Sequence, residues 1–263
     1  MQDPYITPRK LLGDISLPIE CNRAFICYCP MPDIFLKYRI NIELKHRYFI
    51  HSHNCHVMFC EFNDEKFIVV AEVYGGPVSV TTVEELNHYG IKTIVGIGFV
   101  GSLVSSLNTG DMIYAGRALE ENGTTPHYHK SESNYVLPRQ ICDVTQPLCD
   151  GITEQCVWTT NALYREYQND IKWAKSMGCT VVNMDTSHFY AACSLLNIKC
   201  EYYAVVSDVI DSTEWVNELT NAVNSTAENV SNSILSVQTT LISAILAHII
   251  LGKKVGVGRA HWL

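Results

Sequence analysis

A series of short apolar runs, alternating with longer segments of helical periodicity, constrains the fold of this chain more than any other feature. Each run spans five to eight residues, which is typical of buried strands. The runs cover residues 24–29, 56–61, 67–72, 92–97, 153–159, 180–184 and 200–207, and the helical patterns cover residues 79–90, 161–177, 186–197 and 214–251. Because strands and helices alternate, we expect an α/β fold with three layers, α/β/α, around a central twisted mixed sheet.

No change in composition divides the chain. Its 263 residues contain no linker rich in Pro, Ser or Gly and no internal repeat, which predicts a single domain over residues 1–263. Residues 214–252 are expected to form a long C-terminal helical region, of which residues 231–251 are apolar enough to resemble a membrane span. Apolar residues recur there at three- and four-residue steps, at Ile234, Val237, Leu241, Ile245 and Ile249, while Ser236, Gln238, Thr239 and Ser243 lie largely on other faces. This pattern predicts a helix packed on the sheet and no membrane partner.

Charge and cysteine content exclude several classes of protein. The chain has 19 Lys and Arg against 27 Asp and Glu, a net charge of −8, and no basic run, so nucleic acid is not an expected partner. The first twenty residues lack the apolar block of a signal peptide, which predicts a cytoplasmic protein. Its 11 cysteines form no Cys-x-x-Cys pair and most lie in apolar runs, which favours reduced, buried thiols over a metal site or disulfides.

Polar residues follow two of the apolar runs. The run at residues 180–184 ends in Asn183 and Met184 and is followed by Asp185, and the run at residues 200–207 ends in Ser207 and is followed by Asp208. Side chains at the carboxyl ends of strands are well placed to bind a ligand, and a carboxyl group there can act as a general acid. The alternative is that each aspartate caps the helix that follows it.

A glycine-rich segment, residues 93–103, forms a third candidate element. It runs from a strand into Gly96, Gly98 and Gly101, where the missing side chains allow a ligand to approach the backbone. A dinucleotide-binding motif would continue into a long helix, whereas this segment leads into residues 108–111 and a second strand. The motif alone therefore does not identify a ligand.

Taken together, these segments resemble the superfamily of nucleoside phosphorylases and nucleosidases, which includes purine nucleoside phosphorylase, uridine phosphorylase and methylthioadenosine nucleosidase. The resemblance spans about residues 20–215 and rests on the order of residues 73–86, 93–103, 110–129, 181–193 and 205–211. It implies a phosphorylase/hydrolase-like fold, cleavage of an N-glycosidic bond, and a homo-oligomer, either a dimer, a trimer or a hexamer.

The resemblance also assigns residues to the ribose and the base. The Met-Glu pair that holds the ribose hydroxyls in the family falls on Met184 and Asp185, and a Glu that often precedes it falls on Asn183. The family's Ser-Asp motif is intact at Ser207 and Asp208, where the acid protonates or hydrogen-bonds the departing base, and this implies a preference for purines. Residues 157–166 match the segment that frames the base, so Trp158, Thr159, Thr160 and Asn161 are expected to contact it together with Ser207. The alternatives are a core role for Trp158 and a helix cap at Asn161.

On the phosphate side the sequence departs from the family. Met31 and Phe35 stand where the early loop has Gly and Arg, Gly96 replaces an Arg in the central strand, and Phe99 replaces a hydroxyl residue of the glycine-rich turn. A phosphate dianion needs paired charge or several donors when it leaves water. We therefore expect the former phosphate site to be an uncharged pocket formed by Phe35, Gly96, Gly98 and Phe99.

Two alternatives remain at this site. Lys37, Arg39 and Arg117, or His51, His53 and His56 of a neighbouring subunit, could rebuild an anion site. If water is the nucleophile, Asp33 is the nearest acid to the position of the family's water-activating Glu, although it lies two positions away and could simply cap the helix that follows.

The segment at residues 120–129 resembles a loop over the pocket in some relatives. Glu120, His127 and His129 have the composition of a metal site but not its spacing, so we expect a surface loop and no metal.

The sequence thus predicts a cytoplasmic enzyme of nucleoside salvage that cleaves a small-molecule nucleoside, purine favoured, by hydrolysis and without a cofactor. Asp208 and Asp33 are the candidate catalytic residues. One alternative is phosphorolysis of a purine nucleoside or uridine, with inorganic phosphate as co-substrate at a rebuilt anion site. The other, of a different class, is a nucleoside-binding or storage protein without catalysis.

Overall fold

The computed structural model describes residues 4–120, 123–141, 151–210, 216–217 and 228–251, with ten strands and six α-helices. The strands are β1 Arg23–Cys27, β2 Val57–Phe62, β3 Glu65–Val70, β4 Thr93–Ser102, β5 Met112–Leu119, β6 Tyr135–Val136, β7 Ile152–Thr159, β8 Val181–Asn183, β9 Lys199–Val209 and β10 Val216–Asn217. The helices are α1 Pro8–Leu12, α2 Gly76–His88, α3 Thr125–Tyr128, α4 Gln168–Ser176, α5 Thr186–Leu195 and α6 Glu228–Leu251. Short 3₁₀ helices lie at Asp33–Tyr38, Asn54–His56 and Leu163–Arg165.

All the strands belong to one mixed sheet, in the order β10-β9-β5-β7-β8-β4-β1-β3-β2, with β6 beside β5. β4 pairs with both β8 and β9, so β4, β9, β5, β7 and β8 close into a ring and β1, β3 and β2 extend from it. The pairs β1–β3, β1–β4, β4–β9, β5–β7 and β7–β8 are parallel, whereas β2–β3, β4–β8 and β5–β9 are antiparallel. The predicted α/β fold with a central mixed sheet is confirmed.

Alternating side chains of the strands supply two cores, one on each face of the sheet. In β1, Ala24 and Ile26 pack with residues of α2 and α5, while Phe25 and Cys27 pack with residues of α6. The 3₁₀ helix Asp33–Tyr38 lies on the α6 side, where Phe35 is fully buried. Helices therefore cover both faces, as the run pattern predicts for buried strands.

Helix α6 packs on the sheet along the predicted apolar face. Ile234, Leu241 and Ile245 are buried in the core, and Val237 and Ile249 are partly buried against it. Gln238 is also buried and donates from Nε2 to Cys29 Sγ at 3.3 Å. No helix within the described ranges is long and apolar enough to cross a membrane.

Several predicted elements differ from the observed ones in extent. The glycines of residues 93–103 lie inside β4, which extends to Ser102, and do not form a turn at its end. The helix predicted at residues 161–177 is a 3₁₀ turn followed by α4. Within the helical region predicted at residues 214–252, the described residues are the short strand β10 and the helix Glu228–Leu251. Residues 211–215 and 218–227 lie outside the described residues.

Nine cysteines lie in the described part of the chain, and all of them are free thiols. Seven of these are buried, in line with the predicted burial of most cysteines. Cys142 and Cys149 lie outside the described residues.

Candidate functional site

A cavity of about 620 Å³ opens where β4, β8 and β9 end. It is lined by Tyr28, Tyr74, Phe99, Val100, Gly101, Leu163, Tyr164, Glu166, Ile171, Val182, Asn183, Met184, Asp185, Ser207, Asp208 and Ile210. The volume is in the range of small-molecule sites, and apolar walls with a few convergent polar groups are typical of them. The cavity therefore brings together the strand-end acids that lie far apart in the sequence.

A bulge between β4 and β9 positions the Ser-Asp motif. Val100 pairs with Val206 but Gly101 pairs with Asp208, so Ser207 is an extra residue on β9. A bulge of this kind redirects the side chains beside it. Asp208 Oδ2 lies only 3.2 Å from the place where a Cβ atom on Gly101 would sit, so the glycine leaves room for the carboxyl group.

Ser207 and Asp208 form a short hydrogen-bonded chain. Ser207 Oγ lies 2.6 Å from Asp208 Oδ1 and 3.2 Å from the carbonyl oxygen of Val100. Ser207 has one hydroxyl proton, so it can donate a full hydrogen bond to only one of these two oxygen atoms at a time. The contact with Ser207 holds the Asp208 carboxyl group in a defined direction.

At the amino end of α5, the side chain of Asn183 takes the capping role. Asn183 Oδ1 accepts from the backbone N–H groups of Asp185 and Thr186, at 3.2 Å and 3.3 Å, and its Nδ2 donates to Thr186 Oγ1 at 2.8 Å. Asp185 stands at the N-cap position but makes no capping hydrogen bond. The alternative interpretation of Asp185 as a helix cap is therefore wrong, and its carboxyl group is left to line the cavity.

Asp185 is a buried acid without a basic partner among the described residues. It is 5% exposed, and its Oδ1 accepts one hydrogen bond, from the Gly75 backbone N–H at 3.0 Å. Burial raises the pKa of this carboxyl group to about 7, and the hydrogen bond from Gly75 only partly opposes the shift. A carboxyl group with a pKa near neutrality can hold or accept a proton under ordinary conditions.

Next to the cavity, the predicted phosphate pocket is filled by a tyrosine. A Cβ atom on Gly96 would lie 2.5 Å from Tyr202 Cδ2, and one on Gly98 would collide with the Tyr202 hydroxyl. Tyr202 is fully buried, with its ring centroid 5.4 Å from that of Tyr28. The glycines therefore provide room for an aromatic ring from β9 and leave no open anion site.

The other residues predicted around this pocket lie in different surroundings. Phe99 lines the cavity, whereas Phe35 is buried among Phe25 and Phe67, with ring centroids 5.3 Å and 6.2 Å away. Phe99 also packs against the core on the α6 face that contains Phe35, whereas Gly96 and Gly98 face Tyr202 on the other side of the sheet. The four residues therefore do not form one pocket.

The segment predicted to frame the base, residues 157–166, lies only partly in the cavity wall. Leu163, Tyr164 and Glu166 line the cavity, whereas residues 158–161 lie behind it. Trp158 is 1% exposed and packs in a core cluster with Leu103 and Cys179, as its alternative interpretation predicts. Thr159 Oγ1 accepts from the Ser187 backbone N–H at 3.0 Å, and Thr160 donates its backbone N–H to the Asn183 carbonyl at 2.9 Å. These residues hold the start of α5, and they do not appear in the cavity lining.

Asn161 belongs to a polar network that fixes the 123–129 segment on α5. Its Oδ1 lies 3.1 Å from His188 Nε2, and His188 Nδ1 lies 2.7 Å from Thr125 Oγ1, which also contacts Ser187 Oγ at 2.9 Å. His188 is fully buried, and burial lowers its pKa to about 4. The histidine is therefore neutral and structural, and the segment predicted as a surface loop contains the short helix α3.

The remaining predicted residues lie away from the cavity. Asp33, Lys37 and Arg39 are exposed on or beside the 3₁₀ helix Asp33–Tyr38, and Arg117 is exposed on β5. None of them lines the cavity, so these basic side chains do not form an anion site there. No cluster of metal-ligating side chains occurs among the described residues, Glu120, His127 and His129 included.

Sequence reasoning did not single out several residues of the cavity wall. Tyr28 and Tyr74 follow β1 and β3, Leu163 and Tyr164 lie on a 3₁₀ turn, and Glu166 follows that turn. The last three lie within residues 157–166, the segment that the resemblance assigns to the base. Tyr28 and Tyr74 had no signal except their place after strands, since single aromatic residues carry no motif. Tyr164 is 88% exposed, which places a large apolar side chain at the cavity mouth.

Comparisons with known proteins agree with this architecture. A family model described as the phosphorylase superfamily matches residues 24–242. A protein of Acanthamoeba polyphaga mimivirus, named uncharacterized protein R802, is 51% identical over 240 residues, which are 90% of this chain and 96% of that protein. The uridine phosphorylase of Vibrio fischeri ES114 is similar with a TM-score of 0.66 and 14% identity, covering 88% of this chain and 92% of that one. The purine nucleoside phosphorylase of Toxoplasma gondii, solved in complex with immucillin-H, is similar with a TM-score of 0.65 and 15% identity, covering 89% and 93%.

Proposed function

The chain belongs to the phosphorylase superfamily, and we propose that it cleaves the N-glycosidic bond of a nucleoside, purine favoured, with water as the nucleophile. The observation that carries this proposal is the character of the cavity lining, which contains Asp185, Asp208 and Glu166 but no Lys, Arg or His among the described residues. The reaction class follows the family, and the choice of water over phosphate follows the lining.

The electrostatics of the lining disfavour a phosphate dianion. A dianion that enters a partly buried site loses hydration and needs cations or several donors in return. Here it would meet up to three carboxyl groups, and the glycine-rich strand that lies beside the cavity is covered by Tyr202. Water is neutral and does not face this cost.

Asp208 is proposed to assist the departing base. As the bond to the anomeric carbon breaks, negative charge develops on the base, and a proton from Asp208 at purine N7 would neutralise it. The hydrogen bond between Ser207 and Asp208 would fix the direction of that carboxyl group. Positive charge develops on the ribose at the same time, and the carboxyl groups of the lining would favour it electrostatically.

Asp185 and Met184 are proposed to hold the ribose, with Asn183 acting through α5. Asp185 and Glu166 are also the lining carboxyl groups that could accept a proton from the attacking water. Asp33 is a weaker candidate for that role because its side chain is exposed and outside the lining.

The test is release of free base from a panel of purine and pyrimidine nucleosides, measured in phosphate-free buffer and with added phosphate. We expect release in both buffers, with free ribose as the second product. Asp208→Asn should lower the rate about 10²- to 10⁴-fold, the range of general acid catalysis, while Asp33→Asn should leave it unchanged.

Each other outcome has a defined meaning. Strict dependence on phosphate, with a sugar phosphate as product, would replace hydrolysis by phosphorolysis. An unchanged rate of base release in Asp208→Asn would show that Asp208 does not assist the departing base. No release in either buffer, together with a nucleoside-dependent rise in melting temperature, would identify a nucleoside-binding protein.

The proposal includes a cytoplasmic homo-oligomer that acts in nucleoside salvage, as the resemblance to the family implies. Light scattering on the purified chain would measure its mass, and a monomer at working concentration would contradict this part of the proposal.

A further inference from the structure

Two thiols lie in contact where β7 and β8 pair, and neither belongs to the cavity lining. Cys156 is on β7 and Cys179 precedes β8, and their Sγ atoms are 3.4 Å apart. The backbone holds them in register, because Thr180 donates its N–H to the Cys156 carbonyl at 3.0 Å and Val157 pairs with Val181. The contact is therefore set by strand pairing and not by a mobile loop.

A cation lies beside Cys156. Arg117 is the β5 residue opposite Cys156, and its guanidinium group is 4.8 Å from the centroid of the Tyr135 ring. Tyr135 is itself tied to the turn before Cys179, since its hydroxyl donates to the Met177 carbonyl at 2.5 Å.

Gly178 completes this arrangement. It has a φ of +80°, and a Cβ atom there would lie 3.2 Å from Arg117 Nη2, so the absent side chain leaves the space that the guanidinium group occupies. The Arg117 guanidinium group, the Tyr135 ring, the turn at Gly178 and the two thiols thus form one packed cluster.

The environment separates the two thiols chemically. The hydrogen bond from Cys179 and the neighbouring Arg117 lower the pKa of Cys156 to about 7, whereas the same hydrogen bond and burial raise the pKa of Cys179. Cys156 is also the more accessible, with 7% of its surface exposed against 2% for Cys179. A thiolate beside a protonated thiol is the arrangement of an attacking and a resolving cysteine.

We propose that Cys156 and Cys179 are a thiol-oxidation site that reacts with hydrogen peroxide or another small hydroperoxide and closes to an intramolecular disulfide. The Cys156 thiolate attacks one peroxide oxygen, the O–O bond breaks, and the leaving hydroxide takes a proton to become water. Cys179 then loses its proton and attacks the sulfenic sulfur, the S–S bond forms, and a second water leaves. The two thiols are oxidised and the peroxide is reduced, so the atoms and electrons balance.

The experiment exposes the native full chain to graded hydrogen peroxide, alkylates the remaining thiols, and maps the cysteines by mass spectrometry. We expect a peptide linked between Cys156 and Cys179, reversed by dithiothreitol. In Cys179→Ala, a sulfenic-acid probe should label Cys156, because the resolving thiol is absent. In Cys156→Ala, Cys179 should stay reduced at the same dose.

Arg117→Gln tests the effect of the Arg117 charge on Cys156 while it leaves both thiols in place. It should slow oxidation on the order of tenfold at pH 7, because less of Cys156 is then thiolate, and the difference should vanish at high pH. Cys193 and Cys200, which are fully buried, serve as an internal control and should stay reduced. Oxidation of Cys193 and Cys200 before the proposed pair, or an Arg117→Gln rate equal to wild type at pH 7, would overturn the proposal.

Discussion

At the scale of single residues, the site is shaped by an exchange of roles between Asn183 and Asp185. Asn183 satisfies the free N–H groups at the start of α5, a task that an aspartate at the N-cap normally performs. Asp185 is thereby released to the cavity, where burial raises its pKa to about 7. The Asp185 carboxyl group can line the cavity because the Asn183 side chain caps α5 in its place.

Asp185→Asn should reveal the cost of that carboxyl group as a function of pH. The folded pKa of about 7 lies above the ordinary value of 3.8, so the folded state binds the proton more tightly than the unfolded state. The resulting stabilisation is complete below pH 4 and is lost as the pH rises to 7. Asn keeps an acceptor for the Gly75 N–H but does not titrate. At pH 8 the free energy of unfolding of the variant should therefore exceed that of wild type by about 1–4 kcal/mol.

Melting temperatures of both proteins between pH 4 and pH 8 make the comparison. Glu85, another buried acid whose pKa burial raises to about 7, is present in both proteins, so its contribution cancels in the difference. A constant difference in melting temperature across this range would show that Asp185 is ionised in the folded state throughout.

At the scale of elements, the pairing of β4 with β9 decides what the glycine-rich strand does. The parallel register brings Gly96 and Gly98 opposite Tyr202 and Ala204, and the Tyr202 ring lies over both glycines. After two more residue pairs, the bulge at Ser207 turns Asp208 toward Gly101. The pairing of β4 with β9 thus covers Gly96 and Gly98 with the Tyr202 ring and places the Asp208 carboxyl group in the cavity lining.

Gly98→Ala should disrupt this pair of strands. Its Cβ atom would collide with the Tyr202 hydroxyl and lie 3.3 Å from Tyr28 Cβ, so we expect a loss of about 1–3 kcal/mol in the free energy of unfolding. Tyr202→Phe in the same chain removes the colliding oxygen and should restore part of the loss. Urea unfolding of both single variants and the double variant measures the coupling, and additive effects would mean that the two side chains do not meet.

At the scale of the whole molecule, two cores hold helices on opposite faces of one sheet. Helix α6 closes the face that contains Phe35 and Phe67, and its side chains from Leu241 to Leu246 belong largely to that core. The helix is therefore a structural layer, and its apolar length reflects burial against the sheet.

Two leucines of α6 offer a matched pair of variants. Leu241 is fully buried and Leu235 is 46% exposed on the same helix. Leu241→Ala should cost about 2–5 kcal/mol because it leaves a cavity in the core, whereas Leu235→Ala should change stability by less than about 0.5 kcal/mol. Urea unfolding measures both, and equal losses would contradict the packing of α6 on the sheet.

The sequence by itself determined the strand and helix alternation and the positions of Asp185 and Asp208 at strand ends. Both are local properties, because burial dictates apolar runs and a strand end is visible as the point where such a run stops. The family likeness could be recognised for the same reason, since its motifs lie at these ends.

Only the tertiary structure decided which of those residues meet. It buried Trp158 and Phe35 in separate cores, placed Tyr202 over Gly96 and Gly98, and brought Cys156 beside Cys179. Each of these outcomes depends on strand register, bulges and the choice of sheet face, and a shift of one residue would send every side chain to the other face. Such pairings between distant parts of a chain leave no local pattern, which is why the position of Tyr202 over the glycines and the thiol pair could not be predicted from sequence.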